Sequence, residues 1–136
     1  MGTISDIVMR KPDMWDSDGE PCLLLVKNGN ATGTTIGRAT GIRSVVRKYE
    51  YFKDMLTEQT SMEWAIVNYS SKLEVFSKRG DSGSIIADTR GRIGGMLTSG
   101  TGKGEVPDIT YATPFWWLLQ RIRANGFPNA HLDVVA

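Results

Sequence analysis

The sequence predicts an all-β domain with one helix near its C-terminus, and three observations predict it. Short apolar or β-branched runs recur along the chain, bounded by clusters of Gly, Asn, Asp and Ser that favour turns. The stretch 34–49, rich in Thr, Ile, Val and Arg, is broken by Gly37 and Gly41, where a strongly coiled strand needs bends or bulges. After Pro114 the apolar spacing becomes that of an amphipathic helix. About six strands and a terminal helix, with turns at short intervals, describe an antiparallel barrel or a sandwich.

Residues 1–21 mix apolar and acidic side chains with Pro12, Asp13, Asp16, Asp18 and Gly19. They read as an extended arm in which Ile7, Val8, Met14 and Trp15 are able to dock on a surface. The apolar run 22–27 has the length of a buried strand, and Asn28-Gly29-Asn30 reads as its hairpin turn. Residues 49–59 have weak helical or loop character and are polar enough for a surface excursion. Residues 62–69 alternate in part through Trp64 and Ile66 and form another strand.

Further on, 84–87 and 92–99 make a hairpin around the turn Asp88-Thr89-Arg90-Gly91, and 100–104 is a glycine-rich loop. Residues 108–113 give the last strand. Pro114 then opens a helix at the position where its missing amide hydrogen costs nothing. Phe115, Trp116, Leu118, Leu119 and Ile122 supply the apolar face, and Gly126 and Pro128 end it. Of the adjacent pair Trp116 and Trp117, one is expected in the core and one on a contact surface, because neighbouring helical residues face different ways.

A chain of 136 residues, 40% hydrophobic and 23% charged, is one ordinary folded domain. Sixteen Lys and Arg against fifteen Asp and Glu leave a net charge of +1, so nothing electrostatic argues for nucleic acid or an anionic membrane as a partner. The basic runs 43–48 and 121–123 read as solvated faces. Cys22 is the only cysteine, which excludes an intrachain disulfide and a cysteine-based zinc site. With an N-terminus that lacks a basic start and a long apolar run, this makes a cytoplasmic protein the expectation. No acidic cluster has metal-ligand spacing, and no cofactor or metal is expected. Gly100-Thr101-Gly102-Lys103-Gly104 is not a phosphate loop, since Leu97 stands where the leading glycine belongs and Gly104 where the Ser or Thr belongs.

The stretch with chemical content is Ser77-Lys78-Arg79-Gly80-Asp81-Ser82-Gly83-Ser84. Glycines at 80 and 83 permit backbone angles closed to other residues, so Ser82 can be held out on a tight bend. In such a bend the amides of Gly80 and Ser82 can point the same way, as an oxyanion requires. Taken alone, the same residues also make an ordinary Gly/Asp/Ser turn between strands.

Gly-Asp-Ser-Gly-Ser resembles the nucleophile motif of the trypsin-like (chymotrypsin-fold, PA clan) serine peptidases. Two other blocks resemble the second barrel of that family, in the right order. Residues 27–37, Lys-Asn-Gly-Asn-Ala-Thr-Gly-Thr-Thr-Ile-Gly, look like its first hairpin. Residues 95–100, Gly-Met-Leu-Thr-Ser-Gly, with 109–114, Ile-Thr-Tyr-Ala-Thr-Pro, look like the two strands that wall its specificity pocket, before the closing helix. The match spans roughly residues 22–125. It implies a six-stranded antiparallel barrel with a C-terminal helix, divided into an arm at 1–21 and a half barrel at 22–136.

The same resemblance implies roles. Ser82 takes the nucleophile position, the amides of Gly80 and Ser82 the oxyanion hole, and Asp81 the place of a structural carboxylate. Thr98, Ser99 and Gly100 become the backbone edge that pairs with an extended peptide. Phe76 falls at the base of the pocket, where trypsin-type enzymes carry an acid, so Lys or Arg would not be selected. Asn30 replaces an arginine found in some members, which leaves the counter-charge of Asp81 open among Arg38, Arg43 and Arg79.

A serine hydroxyl needs a histidine to take its proton and a carboxylate to orient that histidine. In the family both come from the first barrel, and residues 1–21 are too short to form one. His131 is the only histidine; with Asp133 it could complete a rearranged set on paper, but it reads more simply as a surface residue of a frayed end. The expectation is a solitary half barrel without peptidase activity of its own, working through binding or self-association. A homodimer, a partner protein on the barrel face, or an extended peptide are the expected partners. The alternative is the nucleophile-bearing part of a serine endopeptidase whose first barrel is supplied from elsewhere.

Overall fold

Alternation is clearest in β1 (Leu23–Gly29), where Leu23, Leu25 and Lys27 turn to the interior while Leu24 and Val26 are half-buried. Helix α1 (Asp6–Arg10) precedes it, and β2 (Gly33–Ala39), β3 (Arg43–Phe52), β4 (Met55–Asn68), β5 (Ile85–Asp88), β6 (Ile93–Gly100), β7 (Ile109–Pro114) and α2 (Phe115–Ala124) follow. The structure is a computed structural model that describes residues 2–70, 75–101 and 109–132. The expected strand start at Asp108, most of the loop 100–104, and Asp133 lie outside the described residues.

The sheet departs from the expected six-stranded barrel. Seven strands form one antiparallel sheet in the order β2-β1-β5-β6-β7-β4-β3. A short additional pairing, Gly37 with Asn68 and Arg38 with Val67, joins β2 to β4, curls the sheet on itself and leaves β3 outside the closure. The extra strand arises because 34–49 is not one bent strand. The chain breaks at Gly41, whose φ of 94° belongs to the left-handed region, and β3 starts anew two residues later.

Nor is 49–59 a helical or irregular excursion. It is the end of a long hairpin in which β3 and β4 pair without a register shift from Arg43–Trp64 to Phe52–Met55. Its two-residue turn holds Lys53 and Asp54 at φ 51° and 62°, the positive angles of a type I′ turn. Lys-Asp is an uncommon way to build that turn, and Tyr49, Tyr51 and Phe52 are strand formers whose exposure hid the strand pattern.

The core gathers Leu23, Leu25, Trp64, Ile66, Ile86, Leu97 and Ala112 from the curled sheet and Phe76 from the segment between β4 and β5. The arm contributes to it. Ile4 and Met9 are buried and Met14 nearly so, while Ile7 and Trp15, both expected to dock, are exposed. A short helix explains the exchange: Ser5 caps α1 by accepting from the Val8 amide, and its winding turns Met9 inward and Ile7 outward. The arm is also tied by charge. Asp13 binds the two terminal guanidinium nitrogens of Arg92, at 2.7 and 2.9 Å, and Arg90 at 3.2 Å, while Asp6 pairs with Arg43 and Asp16 with Arg38. The hydrogen bond from Arg92 first, then the charges of Arg92 and Arg90, hold the Asp13 carboxyl below its usual range.

Pro114 is buried, ends β7 and caps α2, so the helix begins one residue after the expected position. No residue of α2 is fully buried. Trp116 packs partly on the core, and Trp117 and Ile122 are exposed. No helix among the described residues is long and apolar enough to cross a membrane.

Candidate functional site

The Ser82 turn is built on positive backbone angles at its two glycines, φ 104° at Gly80 and 89° at Gly83. Between them Asp81 turns inward and has no exposed surface, while Ser82 is exposed. Backbone bonds fasten the turn on both sides. The Asp81 amide donates to Lys78 O at 3.1 Å, the Gly83 amide to Leu97 O at 2.8 Å, and the Ser84 amide to Asp81 O at 3.1 Å. The Ser84 hydroxyl donates to the same Asp81 carbonyl at 2.5 Å. Among the described residues, the Gly80 and Ser82 amides have no such acceptor. The two donors named for an oxyanion are therefore left unused by the turn's own hydrogen bonds.

Asp81 is the structural centre. Its Oδ1 accepts from the amides of Ala31 at 2.7 Å and Thr32 at 3.2 Å; its Oδ2 accepts from the Lys78 amide at 3.0 Å and the Thr32 hydroxyl at 2.7 Å. Burial alone would raise the carboxyl, but the Thr32 hydroxyl and the amides of Lys78, Ala31 and Thr32 outweigh it and hold it at about 2. The hairpin 30–33 thus reaches about fifty positions along the chain to clamp the Ser82 turn. Gly29 makes room for it: a Cβ there would lie 2.7 Å from Asp81 Cγ.

The counter-charge is Lys27, not Arg38, Arg43 or Arg79. Lys27 Nζ lies 3.6 Å from Asp81 Oδ2, with both side chains fully buried. It also donates to the Thr32 hydroxyl at 2.6 Å and to Gly33 O at 3.1 Å, so Thr32 accepts from the lysine and donates to the aspartate. Burial pushes the Lys27 ammonium down, and the charge of Asp81 and its hydrogen bond oppose that. Arg38 and Arg43 are engaged with the arm instead. The signal was present in the sequence: a lysine in phase with Leu23 and Leu25 on the inward face of a strand must meet a charge inside.

Phe76, expected at the base of a pocket, has no exposed surface. Its ring lies 5.6 Å below Lys27 Nζ and fills the space left by the missing Cβ of Gly37. Its backbone is held at both ends, by Asn68 Oδ1 at 2.9 Å and by the Thr35 hydroxyl at 2.6 Å. Beside it the hydroxyls of Ser77 and Thr110 share a buried bond of 2.6 Å.

Thr98, Ser99 and Gly100 continue β6 past its last pair with β5, Met96 with Ile85. After Leu97 the β5 side of this strand meets, among the described residues, only the Ser82 turn, whose hydroxyl donates to Thr98 O at 3.4 Å. On the other side the strand is bulged at Thr98, and the Thr98 hydroxyl donates to Tyr111 O at 3.2 Å. The serine and the three-residue edge therefore adjoin one another.

His131 follows α2, is exposed, and its Nδ1 lies 2.8 Å from Asn129 O. The described residues place no imidazole in a hydrogen bond with Ser82. They also contain no group of three or more His, Cys, Asp or Glu side chains fit to hold a metal ion. A cavity of about 410 Å³ between the hairpin base and the start of α2, lined by Arg43, Met62, Glu63, Trp116, Trp117 and neighbours, shares no residue with the Ser82 turn. Comparison with known protein families, with characterised proteins and with solved structures finds no match to this chain.

Proposed function

We propose that this chain is a trypsin-like half barrel that keeps the nucleophile turn as a structural and binding element and does not cleave peptides by itself. It acts by holding an extended peptide or by self-association. The order of its parts supports the reading: a first hairpin, the Gly-Asp-Ser-Gly-Ser turn entering β5, two further strands, and a helix. The observation that carries it is the environment of Ser82. Its hydroxyl faces the Thr98 carbonyl, an acceptor of no basicity, and no imidazole of the described residues is bonded to it. An alcohol without a proton acceptor is a poor nucleophile near neutral pH. On its β5 side the end of β6 at 98–100 has no strand partner among the described residues and offers main-chain groups to an added strand.

A second reading has a specific observation in its favour. The Gly80 and Ser82 amides, unconsumed within the described residues, are the pair an oxyanion hole needs. In that reading the chain is the nucleophile-bearing part of a serine endopeptidase and gains its histidine from a first barrel outside these residues. A serine-reactive phosphonate separates the two. Absence of labelling at Ser82, with and without cell extract, is expected for the binding module; labelling that disappears in Ser82→Ala overturns it in favour of the enzyme. For the peptide arm of the proposal, binding should survive Ser82→Ala and fail when 98–100 are altered.

A further inference from the structure

Strand β3 ends the sheet order, and among the described residues its outer edge carries no further strand. Among the described residues, the backbone groups of 45–52 have no partner beyond β4. Ten residues without a proline, a glycine or a bulge make a long, regular edge, which is a template for another strand. The two-residue turn after Phe52 sets which groups face out. Phe52 and Met55 close the turn, so Phe52, Glu50, Lys48 and Val46 direct their backbone toward β4. The Thr57 hydroxyl, donating to Glu50 O at 2.8 Å, marks that side. Tyr51, Tyr49, Arg47 and Val45 therefore present their N–H and C=O groups to the outside.

The side chains of β3 complement those of a second β3 running antiparallel. With Tyr49 opposite Tyr49, twofold symmetry sets Lys48 opposite Glu50, Arg47 opposite Tyr51 and Val46 opposite Phe52, each twice. The Lys48–Glu50 and Val46–Phe52 positions are the non-hydrogen-bonded ones, where facing side chains come closest. Arg47 opposite Tyr51 places a guanidinium near an aromatic ring. Sliding the partner by two residues one way sets Lys48 against Lys48, and the other way Glu50 against Glu50, so like charges exclude both neighbouring registers. Arg47 and Lys48 thus protect the edge from indiscriminate pairing while a matching strand satisfies them. The aromatic rings are free to take part, with Tyr49 58% and Tyr51 78% exposed.

We infer that two copies of this chain associate edge to edge through β3, antiparallel, about a twofold axis at Tyr49. This rests on the self-association proposed above and names its surface. Sedimentation of the full chain over a range of concentrations tests it. The wild-type chain should dimerise. Lys48→Glu alone, and Glu50→Lys alone, turn both attractive pairs into repulsive ones and should raise the dissociation constant roughly tenfold or more. Mixing the two single variants in equal amounts restores opposite charges at both positions and should recover a dimer, as should the doubly exchanged variant. A dimer indifferent to these reversals overturns the β3 register and leaves self-association through another surface standing. A chain that stays monomeric at every concentration, including one that adds an unrelated extended peptide to β3, overturns both.

Discussion

At the Ser82 turn the chain buries a lysine and an aspartate completely, whereas at the tip of the β3–β4 hairpin it leaves Tyr51 and Met55 78% and 70% exposed. Each region inverts the usual rule of polar outside and apolar inside. The inversion has a different cause in each. Asp81 is worth burying because four donors from 31–32 and 78 converge on it and Lys27 neutralises it. The hairpin side chains remain outside because β3 and the distal part of β4 extend past the curled sheet, where the described chain has nothing to place against them. Local bonding decides the first region, and the supply of neighbours decides the second.

If that contrast is right, the largest effect belongs to the buried pair. Asp81→Ala leaves Lys27 charged and unpaired in the core and should cost about 3–5 kcal/mol in urea unfolding. Adding Lys27→Met to the same chain should return a substantial part of the loss; if it returns none, the ion pair is not what the turn depends on. The next effect is one of pH. Asp81 has its carboxyl held at about 2, below the ordinary 3.8, so its contribution is complete above that ordinary value and vanishes as pH falls toward 2. That limb should be worth about 2 kcal/mol and be missing from an unfolding series on the Lys27→Met, Asp81→Leu chain.

A smaller effect is expected where the arm is tied down. Asp13 is partly exposed, so screening weakens its bonds to Arg92 and Arg90, and Asp13→Ala should cost no more than about 1 kcal/mol. Hydrogen exchange should nevertheless rise at Ile4 and Cys22, whose amides bond to Ile93 O and Met14 O. The smallest effect sharpens the comparison from the other side. Tyr51→Ala removes a larger side chain than Asp81→Ala does, yet in dilute monomer it should change stability by no more than about 0.5 kcal/mol. A loss comparable to that of Asp81→Ala would mean that the hairpin tip is packed against something after all.

Local patterns were enough for the all-β class, most strand positions, the terminal helix and the bend at Ser82, because these follow from alternation, turn residues and glycine placement within a few neighbours. The inward lysine of β1 was equally legible, since its phase with Leu23 and Leu25 is a local property. Which charge it meets was not, because Asp81 lies 54 positions away and only the folded sheet brings the hairpin 30–33 and the Ser82 turn together. The break at Gly41, the exposed β3 and the docking of Ile4 and Met9 in place of Ile7 and Trp15 were likewise tertiary decisions. Each depends on what space the rest of the chain leaves, and patterns read over a few residues carry no information about that space.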